Sequence, residues 1–142
     1  MESSVLKWLL EEQDPDVRFA TLTTLLQRPV DDREVIKAKK LMMESGPIKT
    51  LLDLQNPGGC WSDPQKFYYD KYRGTVWNLL ILAQLEADAH HEGIRKACEF
   101  LFSHSMEEST GAFSAGASKR TGKALENLVI PCLTGNMVYS LV

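Results

Sequence analysis

Asn78 and Asn136 interrupt two stretches that are otherwise apolar, "GTVWNLLILA" and "PCLTGNMVYS". A buried Asn must find hydrogen-bond partners. Each therefore either lines a cavity or bonds a neighbouring loop. Tyr68, Tyr69 and Tyr72 cluster just before the first stretch, which also carries Trp77. Aromatic faces attract cations, and they equally pack a long loop onto a core. Cys132 opens the second stretch. A helix start lowers a thiol pKa, whereas apolar surroundings make Cys a small core residue.

Other reactive residue types lack usable spacing. In His90-His91-Glu92 the adjacent imidazoles diverge on a helix, so the three read as a solvated first turn rather than a metal site. "RTGKALE", from Arg120 to Glu126, contains Gly-Lys without the spacing of a phosphate-binding loop or a preceding strand. No Ser/His/Asp grouping follows from spacing. No metal and no cofactor are expected.

The chain that positions these residues has 142 of them, usually one domain with a single core. Apolar residues make up 44% and charged residues 25%, ordinary for a soluble globular protein. The net charge of −3 and a pI near 5.6 give no reason to expect a nucleic-acid partner. Met1-Glu2-Ser3-Ser4 does not open a signal peptide. The longest apolar run, Leu79 to Ala83, is too short for a membrane span. Cys60, Cys98 and Cys132 are odd in number and widely spaced, which suits reduced thiols in the cytoplasm.

Helical periodicity runs nearly throughout. Val5, Leu6, Leu9 and Leu10 make one face. Asp14-Pro15 starts a second helix, with Asp14 as its cap, and Arg28-Pro29 ends it. Asp31 or Asp32 caps a third helix to about Glu44. Gly46-Pro47 precedes a fourth, to about Gln55. Residues 56–73 are loop-like. A fifth helix, from Thr75 to about Ala87, is apolar almost all round and needs cover on most sides. The sixth has a single stripe, Ile94, Ala97, Cys98, Leu101 and Phe102, as an outer helix should. A Gly/Ser-rich loop follows over 103–121, and 122–130 suits a short helix. Leu133 to Val142 begins another apolar helix. A chain stopping there without Gly, cation or polar tail reads as a fragment, or as something a second copy completes in a homo-oligomer. No segment alternates with period two, so no sheet is expected.

A repeat underlies this order. Aromatic-Leu-x3-Gln is intact at Trp8, Leu9 and Gln13. It recurs with departures at Thr50, Leu51 and Gln55, and at Phe100, Leu101 and Ser105. Gly59-Cys60-Trp61 matches Gly111-Ala112-Phe113. The units lie about 40 to 50 residues apart, one helix pair each. Lys/Arg-small-x-x-aromatic-Leu-x3-Gln-x-x-Gly-x-Trp resembles the QW repeat of squalene and hopene cyclases, whose helix-pair architecture protein prenyltransferase β-subunits share. The resemblance covers roughly residues 46–142. Within 1–44, Asp14-Pro15-Asp16-Val17-Arg18-x-Ala20 resembles the start of a HEAT-type helix, or is an ordinary capped helix.

The resemblance implies an all-α fold. Residues 45–142 would form α/α hairpin repeats in an open arc, an incomplete α/α toroid, behind a HEAT-like helix pair in 1–44. It makes Gln13, Gln55, Gly59, Trp61 and Phe113 structural, stitching outer helices to the loops that follow. It places reactive groups at inner-helix starts, in cavities lined by aromatics. The equivalent stretches here are Tyr69–Asn78 and Ile130–Tyr139, which makes Tyr72, Trp77, Asn78, Cys132 and Asn136 candidate ligand-binding residues. The acidic Asp-x-Asp-Asp of the cyclases does not occur, and Asp70 is the one acid in those stretches. The zinc set of the prenyltransferases is not reproduced around Cys132. Two functions follow: a cyclase- or prenyltransferase-like domain binding an apolar or isoprenoid ligand on its concave face, with catalysis left open, or an α-solenoid module that binds protein.

Overall fold

Helices supply the regular structure of residues 4–141, the part of the chain that the computed structural model describes. Among these residues there is no strand. Three isolated antiparallel bridges occur, Met106–Phe113, Ser114–Val129 and Ala117–Ala124. The expected all-α class therefore holds. No helix among the described residues is long and apolar enough to cross a membrane. The chain divides after Asp53 into two units, each with its own core.

The first unit contains α1 (Ser4–Leu9), α2 (Pro15–Ala20), α3 (Arg33–Glu44) and α4 (Gly46–Asp53). Pro15 stands at the first position of α2 as expected, but the Asp14 side chain makes no capping bond. The expected second helix ends early, and Thr21–Leu25 form a π-helical turn. The threonines account for this. Thr21 Oγ1 donates to the Val17 carbonyl at 2.7 Å and Thr23 Oγ1 to the Phe19 carbonyl at 2.9 Å. Such back-bonding competes with the regular ladder and bends it. Asp32, not Asp31, caps α3, accepting from the N–H of Glu34 at 2.8 Å and Val35 at 3.4 Å. Phe19, Leu22, Val35, Ala38, Met42 and Ile48 are buried together as this unit's core. Arg18 bridges the Leu10 carbonyl and the Glu34 carboxylate.

The second unit contains α5 (Thr75–Gln84), α6 (Glu92–His104) and α7 (Pro131–Leu141). Short 3-10 turns at Pro64–Lys66 and Lys71–Arg73 order the loop before α5. The expected helix at 122–130 contracts to a 3-10 turn, Glu126–Leu128. Helix α5 stops at Gln84, short of Ala87, because Glu86 turns to φ +54° and the Ala87 N–H bonds back to the Leu82 carbonyl at 3.0 Å. It packs against both α6 and α7, which answers its need for cover. Helix α6 buries Ile94, Ala97, Phe100 and Leu101, while Glu92, Arg95, Lys96 and Glu99 face solvent. Ile94, Ala97 and Leu101 of the expected stripe are buried, but Cys98 is only half-buried and Phe102 is exposed, and Phe100 turns into the core in their place. Helix α7 begins at Pro131, two residues before the expected start, and buries Leu133 and Met137. Val142, its expected last residue, lies outside the described residues.

Candidate functional site

The starts of α5 and α7 are each fixed by the loop that precedes them. In the first loop, Asn56 and Cys60 close a turn, with the Asn56 N–H donating to the Cys60 carbonyl at 2.8 Å. Gln55 Nε2 donates to the Gly59 carbonyl at 2.9 Å and to the Gly93 carbonyl of α6 at 2.8 Å. Gly59 has φ +86°, and a Cβ there would fall on the Lys96 backbone, so the loop lies directly on α6. Trp61, 3% exposed, then donates its backbone N–H to Thr75 Oγ1 at 3.2 Å, at the first residue of α5.

The second loop makes the same bond. Buried Phe113 donates its backbone N–H to Thr134 Oγ1 in α7 at 2.9 Å. At the end of α6, buried Ser105 donates its hydroxyl to the Ser114 carbonyl at 2.7 Å. A side chain at the end of a helix thus holds the following loop at both Gln55 and Ser105. Gln13 behaves differently, being exposed and donating to Glu11 at 2.6 Å. The two threonines are what sequence reasoning missed. Their signal was a Thr in the first turn of each apolar helix following a Gly-x-aromatic loop.

Aligning α5 and α7 on Thr75 and Thr134 pairs Trp77 with Asn136, each two residues further on, and Asn78 with Met137. The second pair is buried in both helices. Asn78 is 2% exposed, and its Nδ2 donates to the Gly74 carbonyl at 3.0 Å. Of the two roles open to it from sequence, it takes the hydrogen-bonding one. The first pair lies on the accessible side: Trp77 is half-buried and Asn136 exposed. Cys132 is exposed one turn before Asn136. Tyr139 on the same helix is 67% exposed.

Around Trp77 the aromatics gather. Its indole Nε1–H donates to the Tyr68 carbonyl at 2.9 Å. The Tyr68 ring lies 5.9 Å away at 31°, and the Tyr72 ring 5.8 Å away at 59°. Tyr69 meets Tyr68 edge-on at 5.4 Å. Lys71 Nζ stands 5.7 Å from the Trp77 ring and 6.0 Å from that of Tyr68. Asp70 is already engaged, its Oδ2 accepting from Ser62 Oγ at 2.8 Å. The sequence candidates thus divide. Tyr72 and Trp77 touch, Cys132 and Asn136 share α7, and Asn78 turns into the core.

The remaining polar groups have structural work. His91 caps α6, its Nδ1 accepting from the Gly93 N–H at 3.1 Å. Burial pushes the Cys98 thiol up, away from the reactive thiolate. Among the described residues no three His, Cys, Asp or Glu side chains gather as metal ligands. The arrangement offers an aromatic, partly apolar surface with one ammonium above it. No family model, no curated protein and no solved structure matches the chain.

Proposed function

We propose that residues 45–142 are α/α repeats of the terpenoid cyclase and prenyltransferase type, and that the accessible side of α5 and α7 binds an apolar or isoprenoid ligand. The observation that carries this reading is the paired bond from Trp61 N–H to Thr75 and from Phe113 N–H to Thr134. It gives α5 and α7 one register after two loops of the same Gly-x-aromatic pattern. Support for a ligand comes from what that register leaves accessible. Tyr72 and Trp77 sit at one helix start, and Asn136 and Tyr139 lie on the other helix. An apolar surface with a few polar groups suits such a ligand. The proposed role is binding, and no proton-donating acid is assigned. The HEAT-like reading of 1–44 belongs to the same proposal, as does cover of the α7 flank by a second copy.

Farnesol, a C15 isoprenoid alcohol, tests the reading. It should raise the thermal midpoint increasingly with its concentration and quench the tryptophan fluorescence, a quench that Trp77→Phe should remove. Tyr72→Ala should weaken both effects. A midpoint and a spectrum that stay unchanged up to the solubility limit of farnesol would sink it. The alternative is a protein-binding module, favoured by the 75% exposure of Tyr72 and 67% of Tyr139. Exposed tyrosines are common anchors at protein interfaces.

A further inference from the structure

We propose that Tyr68, Tyr72 and Trp77 form a binding site for a methylated ammonium group, and that Lys71 occupies it as an internal ligand. The proposal goes beyond the apolar-ligand reading and does not rest on it, because all four residues lie within one loop and the first turn of α5. The chemistry is that of a cation against aromatic faces. Trp77 offers the strongest face of any side chain, and the rings of Tyr68 and Tyr72 stand on it at 5.9 and 5.8 Å. The cation is already there: Lys71 Nζ is within about 6 Å of two of the three rings.

The backbone is bent to put it there. Lys71 adopts φ +51°, a conformation uncommon for residues other than glycine. The following Gly74 N–H ties that turn by donating to the Lys71 carbonyl at 2.7 Å. Strain of this kind persists where the surroundings over-determine it and often marks a site. The Trp77 indole is held as well, by its bond to the Tyr68 carbonyl. Its face is thus fixed before any ligand arrives. Tyr72 is 75% exposed, so the outer wall is reachable from solvent.

A primary ammonium on a flexible stem is strongly hydrated and binds such a face weakly. A trimethylammonium group has less hydration to lose and fits aromatic walls better. It should therefore displace Lys71, and removing Lys71 should open the site. The test is a titration of the full chain with choline, followed by the Trp77 indole N–H signal in an NMR spectrum. The uncharged isostere 3,3-dimethylbutan-1-ol serves as control. Choline should shift the Trp77 signal, Lys71→Ala should bind it roughly threefold to tenfold more tightly, and the isostere should shift it far less. Tyr72→Ala, with unchanged circular dichroism, should lose the response. Equal shifts from choline and the isostere would overturn the proposal, since the site would then read shape and not charge. So would an unresponsive Trp77 in both the wild-type chain and Lys71→Ala.

Discussion

At the scale of single residues, Trp61 stands out because it follows the strongest turn signal in the chain and is nonetheless buried. Its backbone N–H donates to Thr75 Oγ1 at the first residue of α5. Trp61→Ala should cost about 3–5 kcal/mol in urea unfolding followed by circular dichroism. Thr75→Val keeps the shape and removes the acceptor. It takes away the oxygen that accepts the buried Trp61 N–H and should cost about 1–3 kcal/mol in the same measurement. Asp16 presents the opposite case. Burial holds its carboxyl above the usual range, and Oδ1 lacks a hydrogen-bond partner among the described residues. The folded chain thus binds this proton more tightly than the unfolded chain. The charged form is a liability above the folded pKa, and the liability fades as pH falls through it. Asp16→Asn should raise the thermal midpoint at neutral pH, with the gain shrinking on acidification.

Glu107 carries a pH effect of the other sign. The Ser109 backbone N–H and hydroxyl, then the Thr110 hydroxyl and N–H, donate to its carboxylate and pull its pKa down to about 2. A depressed carboxylate contributes stability above its unfolded pKa of about 4.3 and loses it as pH falls toward the folded value. Glu107→Gln should flatten the stability curve between about pH 4.5 and 2. An equally steep curve in the variant would remove Glu107 from the acid response.

At the scale of elements, loops rather than helices set the geometry. The loop at 56–61 lies on α6 through Gly59, whose φ of +86° and contact with the Lys96 backbone leave no room for a side chain. Gly59→Ala should therefore destabilise by more than about 1 kcal/mol, since strain and collision act together. Gly58 meets nothing within 4 Å of a built Cβ, so Gly58→Ala serves as the control and should stay near neutral. The sequence marked this loop clearly, because Asn-Pro-Gly-Gly is a turn signal with a mechanism. It did not mark the π-helical turn at Thr21–Leu25. Apolar spacing there continues the helix, and only the threonine hydroxyls, through bonds to Val17 and Phe19, alter the ladder.

At the scale of the whole molecule, two cores share one chain. Met42 is fully buried in the first unit and Leu79 almost so in the second. A cavity at either should cost roughly 2–5 kcal/mol. Hydrogen exchange should locate the loss: Met42→Ala lowers protection chiefly within 4–53, and Leu79→Ala within 54–141, because opening follows the local contact network. Uniform loss across the chain in both variants would mean that the two units unfold as one.

The all-α class, the solvated face of α6 and the nearly all-apolar α5 were legible in the sequence, because apolar period and composition report burial directly. The two Gly-x-aromatic stretches, Gly59–Trp61 and Gly111–Phe113, were visible in the sequence too, as a spacing. What the loops are tied to was not. Trp61 reaches Thr75 and Phe113 reaches Thr134 across 14 and 21 residues, and no local pattern encodes a contact closed by the turns in between. The same holds for the candidate site. Sequence offered Asn78 and Asn136 as equivalent polar residues on apolar helices. The tertiary structure separated them, since a buried amide must find its partner nearby and Asn78 finds Gly74 one turn back, while Asn136 remains in solvent.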